Sequence, residues 1–320
     1  MNIKDYGGEF ALIDLISRRK KDKNVLVGVG DDTAVIKYNK KYVLLWTTDM
    51  LVEGDHFNLK WSTSQQIGKK AMEINVSDIA SMGGLPKYAL ISISLPDDTQ
   101  VEFIDQLYKG MRNVCKKYDF EIVGGNTTHG QRIVIDISLI GMAEKKRLCL
   151  RSNAKVGDLI CVTGYLGKSA VGLETLRAGL KGNVKDHLEP ECRLNEARVI
   201  SKYANAMIDV SDGLASEVNH ICKRSNVGAK VVKEKIPISK NTFKLANKLG
   251  KDAYGFALDG GEDFELVFTI PERKLDKIKV KCPVTVVGRI VEKRKGIYLI
   301  DKGKKTPLEG GYDHFNSKKA

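Results

Sequence analysis

Apolar residues recur along this chain in two rhythms. Runs rich in β-branched residues, with alternating character, occupy Asn24–Val29, Lys41–Trp46, Tyr88–Leu95, Arg132–Gly141 and Ala229–Lys233. Similar runs cover Phe264–Thr269, Pro283–Arg289 and Gly296–Ile300, and all of these read as strands. Helical spacing is clearest over Ser64–Met82, Val101–Tyr118, Lys168–Ala178, Asn195–Asn205 and Gly213–Ser225. The chain is therefore mixed α/β. Several strands of the first half follow one another without an intervening helix, so a pure alternating βαβ fold fits poorly. The polar, turn-forming phrase Arg151–Asp158 separates two stretches that could each supply a core. It places a domain boundary near residue 150, with an N-terminal domain over 1–150 and a C-terminal one over 151–320.

The helix over Ser64–Met82 is opened by Thr63 and Gln66, the spacing of a capping box. Its inward stripe is marked by Ile67, Ala71 and Ile74, and Asp78 lies four residues beyond Ile74 on that stripe. A carboxylate facing protein needs a cation, and no basic residue lies one turn away on either side. A metal ion is the partner this placement points to. Three other phrases set carboxylates beside glycine or hydroxyl residues: Gly28-Val29-Gly30-Asp31-Asp32, Thr47-Thr48-Asp49 and Asp209-Val210-Ser211-Asp212-Gly213. Taken singly, an acidic turn is more often a helix cap or an Asx-turn. Several that converge suit magnesium, which takes hard oxygen ligands and substrate phosphates. The last phrase ends a short apolar strand, Ala206-Met207-Ile208, and opens a helix for which Ser211 or Asp212 is the expected N-cap. Two glycine-rich turns add a second layer: Gly124-Gly125-Asn126-Thr127-Thr128 after a strand over Phe120–Val123, and Gly260-Gly261-Glu262-Asp263 before Phe264.

Composition narrows the classes. Of 320 residues 42% are hydrophobic and 29% charged, as in ordinary globular proteins. No apolar run nears the ~20 residues of a membrane span, and the opening MNIKDYGGEFALIDLI lacks the order of a signal peptide. A cytoplasmic enzyme is the expectation. Six cysteines, with no CxxC pair, argue against zinc and disulfide frameworks. The formal charge of +13 could attract a polyanion, but short basic clusters such as Arg18–Lys21 and Lys302–Lys305 are not interleaved with aromatics. A lysine-rich solvated surface explains it better than nucleic acid does. The chain holds no GxxxxGK[ST] loop, no HRD or DFG set, no GxSxG elbow and no HExxH.

In order, the phrases GVGDDTAVI, TTDMLVEGDHF, NVSDIASMGG, GGNTTHG, LRSNAKVGD, IDVSDGL and GGEDFEL resemble those of thiamine-monophosphate kinases. The resemblance runs from Gly8-Glu9-Phe10 to Gly311-Tyr312-Asp313-His314-Phe315, almost the whole chain. It implies an N-terminal α/β domain whose sheet forms a barrel with that of a second subunit, and a C-terminal α/β domain beside it. It also implies a homodimer that transfers the γ-phosphate of ATP directly onto thiamine monophosphate, giving thiamine diphosphate, with several Mg2+ ions. By motif, metal ligands fall on Asp32, Thr47, Thr48, Asp49, Asp78, Asn126, Asp209 and Asp212, and ATP contacts on Gly125, Asn126, Arg151 and Ser211. Substrate contacts fall on His56, Glu262 and Tyr312, and the residues closest to the transfer are Asp78, Asp209 and Arg151. Many members carry aspartate where this chain has Asn126, whose amide ligates without adding charge. Related ATP-using families of the same superfamily are the rivals. A selenophosphate synthetase would place a reactive cysteine before Cys115, and the hydrogenase maturation factor would carry one in its tail, where this chain reads Phe315-Asn316-Ser317-Lys318-Lys319-Ala320.

Overall fold

The structure, a computed structural model, describes residues 2–17, 22–312 and 315. The basic cluster Arg18–Lys21, the pair Asp313-His314 and the tail 316–320 lie outside the described residues. The chain opens with α1 (Ile3–Tyr6) and α2 (Gly8–Ile16). A first sheet is then built from β1 (Val25–Val27), β2 (Ala34–Lys37), β3 (Tyr42–Val52), β4 (Leu85–Leu95), β5 (Glu121–His129) and β6 (Val134–Glu144). Its strand order is β1-β2-β3-β6-β4-β5. Helices α3 (Ser64–Ser81) and α4 (Val101–Tyr118) lie between its strands in sequence. The second half supplies β7 (Leu159–Thr163), α5 (Lys168–Arg177), α6 (Lys185–Leu188), α7 (Leu194–Ile200), β8 (Ala206–Asp209) and α8 (Leu214–Ser225). It continues with β9 (Gly228–Val232), α9 (Lys240–Lys248), α10 (Ala253–Asp259), β10 (Leu266–Ile270), β11 (Val284–Val291), β12 (Ile297–Asp301) and β13 (Lys304–Pro307). Its sheet has the order β13-β12-β9-β11-β7-β10-β8.

Both sheets are mixed. In the first, β4 and β5 run parallel and are joined through α4, the crossover that parallel pairing requires, while the other pairs are antiparallel. Strand β6 alternates buried and half-buried residues along its whole length, as expected of a strand with one face on a core. Helix α3 supplies that core and also packs on β8 of the second sheet, so it lies between the two layers. One cluster accordingly joins Leu45, Ile79 and Ile137 to Met207, Leu266 and Phe268. Helices α3 and α4 touch backbone to backbone at Gly68 and Gly110. A Cβ on either would come within 2.0–2.1 Å of a carbonyl oxygen of the other helix.

Several boundaries differ from the sequence reading, each for a physical reason. Strand β3 does not stop at Trp46. It runs through Thr47, Thr48 and Asp49, because all eleven of its residues pair with β6 from Tyr42–Glu144 to Val52–Val134. The Gly124-Gly125 phrase is not a turn but lies inside β5, after an irregularity in its register with β4. Glycine serves a close approach there, since a Cβ on Gly125 would sit 1.8 Å from the Ile91 carbonyl oxygen. Helix α7 ends at Ile200 rather than Asn205. Strand β7 and helices α9 and α10 are additions to the sequence reading. No helix among the described residues is long and apolar enough to cross a membrane.

Candidate active site

The site grows from α3. Thr63 and Gln66 close the reciprocal capping box that starts this helix, and Ile67, Ala71 and Ile74 are buried as the stripe requires. Lys70, Glu73, Asn75, Ser77 and Ser81 are buried as well. Buried polar groups need partners, and four of these side chains reach other elements. The Ser77 hydroxyl donates to Asp209 Oδ2 at 2.5 Å, and the Ser81 hydroxyl donates to Asp32 Oδ2 at 2.6 Å. Glu73 accepts from Lys117 and Tyr118, and Lys70 donates to Glu262. Asp78 itself accepts from the Thr47 hydroxyl at 2.5 Å. Helix α3 thus gathers the end of β8, the Asp32 loop and the middle of β3 around its last turns.

The result is a cluster in which carboxylate oxygens of Asp32, Asp78 and Asp209 lie within 4.8 Å of one another. Asp49 adds a fourth carboxyl, whose charge raises Asp78 and which lines the same cavity. Among the described residues, one cation is bonded to this group. Arg151 Nη2 donates to Asp32, and its backbone N–H lies 3.3 Å from both Asp31 oxygens. Burial opposes the charge of Arg151, yet Asp32, Glu217 and Asp31 hold its proton more firmly than usual. One guanidinium does not balance the carboxylates. Burial, then the charge of Asp32, pushes Asp209 up to about 8 against the Ser77 hydroxyl and Arg151. Burial, then the charges of Asp49, Asp209 and Asp32, raises Asp78 well above the ordinary carboxylate range. Asp49 rises to about 6, chiefly through burial, with Asp78 opposing. Asp31 rises to about 7 through burial and its neighbour Asp32. Such a group takes up protons or a cation. Its donors are all hard oxygens, which fits magnesium and not a softer metal.

Beside the cluster opens a cavity of about 670 Å³ that Asp49, His56, Asp78, Asp209, Ser211, Asp212, Glu262 and Tyr312 all line. Its wall is clasped by backbone bonds. Glu262 N–H donates to the Ser211 carbonyl at 2.8 Å, and Tyr312 N–H donates to the Asp212 carbonyl at 3.0 Å. The Gly260-Gly261 pair permits this approach, since a Cβ on Gly261 would lie 2.1 Å from the Ser211 oxygen. Neither Ser211 nor Asp212 caps α8. Gly213 is its N-cap, and Glu217 reaches back to accept from the Asp212 N–H at 2.9 Å and the Ser211 hydroxyl at 3.5 Å. The expected cap is thus replaced by a carboxylate from inside the helix. At His56, ring Nδ1 accepts from the Val52 N–H at 3.1 Å.

Three of the residues singled out from sequence stand apart. The pleat of β3 turns Thr48 to the face opposite Thr47 and Asp49, where its hydroxyl donates to Asp136 at 2.9 Å. Gly125 and Asn126 lie on the exposed edge strand β5. In the row Met50–Asp136–Ser92–Asn126, three strand spacings put Asn126 about 14 Å from β3. The sequence reading passed over Ser77, Ser81, Asp31, Glu217 and Lys70. Glu217 bonds Ser211 and Asp212, six and five residues before it, but the partners of Ser77, Ser81, Asp31 and Lys70 in the site lie far away along the chain.

Residues 30–143 match the model of the AIR synthase related protein N-terminal domain. The chain is 39% identical to the thiamine-monophosphate kinase of Aquifex aeolicus (strain VF5), over 98% of this chain and all of the relative. The chain belongs to the thiamine-monophosphate kinase family. The Buchnera aphidicola (subsp. Acyrthosiphon pisum, strain APS) kinase is 37% identical, over 96% of this chain and 99% of its own. Among solved structures, AaThiL complexed with AMPPCP and TMP superposes with a TM-score of 0.88 at 38% identity, covering 98% of this chain and 99% of that one.

Proposed function

We propose that this protein phosphorylates thiamine monophosphate to thiamine diphosphate, with ATP as donor and Mg2+ as the required ion. The observation that carries the reading is the cluster of Asp32, Asp78 and Asp209, of which Asp78 and Asp209 line the cavity shared by His56, Glu262 and Tyr312. Membership of the kinase family and the likeness to AaThiL, which was solved with AMPPCP and TMP, supply the substrate pair.

Donor and acceptor are both phosphates, so their mutual repulsion is the main obstacle to transfer. Asp32, Asp49, Asp78 and Asp209, with Thr47 and Asp212 nearby, would hold magnesium, which when bound neutralises phosphate charge and favours in-line displacement. The acceptor phosphate is already an oxyanion, so no side chain need act as general base. The carboxylates serve as holders, not proton acceptors. Arg151, fixed by Asp31 and Asp32, would present a permanent positive charge to the nucleotide phosphates, and Ser211, on the cavity wall, would meet the same group. His56, Glu262 and Tyr312 bind the thiamine part.

The outer face of the first sheet exposes Trp46, Met50, Tyr88, Leu90 and Val123 together. So large an apolar face favours a second copy as its partner, in the barrel-forming homodimer of the family. Gly125, Asn126 and Thr48 belong to that face or its edge, and their roles in nucleotide and metal binding are tied to the assembled dimer. A coupled assay for thiamine diphosphate from ATP and thiamine monophosphate tests the whole reading. Product should form with magnesium and not after its removal by chelation. No product with magnesium present would overturn it.

A further inference from the structure

Lys70 carries a charge into a place where charge is expensive. Its side chain is 3% exposed, and a buried ammonium persists only with full hydrogen-bonding compensation. It finds two acceptors, and both belong to the cavity wall. Nζ donates at 2.9 Å to the His56 carbonyl and at 2.9 Å to Glu262 Oε2. His187, also buried, places Nδ1 3.4 Å from the same Glu262 oxygen and 3.0 Å from the Ser169 hydroxyl. Burial favours the ionless form of Glu262, but Lys70, then His187, then His56 reverse this, so its carboxyl lies below the ordinary range.

The backbone shows that Glu262 is held rather than resting. Its φ is +62°, a left-handed conformation uncommon outside glycine, and Phe264 two residues on has φ +48°. Such conformations persist where surrounding bonds over-determine them. Here those bonds are the Lys70 contact, the N–H bond to Ser211, and Asp263, which accepts from Gly167 and Ser169 N–H at the start of α5. Lys70, Ile74 and Asp78 also fall at i, i+4 and i+8 on α3, one stripe about 12 Å long. One end of that stripe reaches the acidic cluster and the other reaches Glu262.

We propose that Lys70 is a positioning residue for the acceptor substrate. It fixes the Glu262 carboxylate and the His56 main chain in one array, at a set distance from the carboxylates that meet the phosphates. His187 supports the same Glu262 oxygen from the opposite side. Glu262 thereby presents its other oxygen to the cavity as an acceptor for an N–H donor on the substrate. Lys70 touches neither phosphate nor nucleotide. This inference rests on the reading of thiamine monophosphate as substrate.

The test is steady-state kinetics of wild type, Lys70→Met, Glu262→Gln and the double variant Lys70→Met/Glu262→Gln. Lys70→Met should raise KM for thiamine monophosphate about tenfold or more, with KM for ATP and kcat at saturation within about twofold of wild type. In the Glu262→Gln background, adding Lys70→Met should change KM for thiamine monophosphate by less than about twofold, since the two residues act as one unit. Should Lys70→Met fail to fold because it strands a half-buried carboxylate, the second comparison carries the test, as the double variant strands none. Wild type without turnover of thiamine monophosphate would overturn the substrate reading and this inference with it. An active wild type whose KM for thiamine monophosphate is unmoved in Lys70→Met would overturn the inference alone. So would fully additive effects of the two substitutions, or a loss shared equally by both substrates and kcat.

Discussion

Replacing Asp209 by asparagine should make the metal-free protein more stable and the enzyme nearly inactive. Asp209 is 2% exposed, so solvent screens it little. Its carboxyl is raised from 3.8 to about 8. Between those values the folded state holds a proton that the unfolded state has released, so stability falls as pH rises from about 4 to about 8. At pH 7 the penalty is at most about 4 kcal/mol, at 1.36 kcal/mol per unit. A direct Coulomb figure agrees: two carboxylates at the 4.8 Å limit of the cluster repel by about 3.5 kcal/mol at an effective dielectric of 20. Asparagine removes both the cost of burying the charge, which is the larger cause, and this repulsion, and its amide oxygen can still accept from Ser77. Thermal unfolding in chelator should therefore show a higher Tm for Asp209→Asn, by about 2 °C for each kcal/mol relieved, with the gain largest near pH 8 and absent near pH 4. Magnesium should raise the Tm of wild type and hardly move that of the variant. The coupled assay should show kcat reduced by about 100-fold or more. A variant less stable than wild type in chelator at pH 8, or one keeping a tenth of its activity, would refute the account of Asp209 as an uncompensated metal holder.

Three further outcomes follow from the fold. Thr63→Ala removes the capping box that starts α3 and should lower stability by about 1 kcal/mol in urea denaturation, with kcat per folded molecule unchanged. Arg193→Ala strips buried Glu265 of two bonds of 2.6 Å and leaves Lys168 and Thr163 as its partners. Calorimetry should show a loss of about 3–5 kcal/mol, the usual consequence of breaking a buried pair. Trp46→Arg puts a charge on the exposed apolar face of the first sheet. Sedimentation velocity should find wild type dimeric and the variant monomeric; a dimer in both would move the interface elsewhere.

What could be read from the sequence was what is local. Thr63 and Gln66 announce a helix start three residues apart, and Asp78 falls on the stripe of Ile67, Ala71 and Ile74 because helical periodicity extends that far without help. The strand ending at Asp209 was legible for the same reason. Reading failed where a pairing partner overrode local preference. Thr47, Thr48 and Asp49 look like the end of a strand, yet eleven paired residues of β6 keep them extended. Gly124 and Gly125 look like a turn, but β4 draws them into an edge strand. Ser211 and Asp212 look like caps until Glu217, placed by the packing of α8, takes their donors. Ser77 meets Asp209 across 132 residues of chain, and Lys70 meets Glu262 across 192. No spacing rule spans such separations.

Helix α3 shows why the site nonetheless lies where the patterning is least regular. A helix buried between two sheets would be most stable with an apolar surface all round. This one buries Lys70, Glu73, Asn75, Ser77 and Ser81, and each such residue lowers the hydrophobic gain from its burial. The polar side chains with long-range bonds bind α3 to different elements: Ser77 to β8, Ser81 to the Asp32 loop, Glu73 to α4 and Lys70 to the Glu262 strap. Apolar contacts would hold the layers together as well, but they tolerate sliding by fractions of an ångström. Directional bonds to charged groups do not, and the cation-holding role proposed for the carboxylate cluster requires that register. The polar residues on the buried faces of α3 therefore mark positioning, and their loss should show in substrate binding or turnover before it costs the fold.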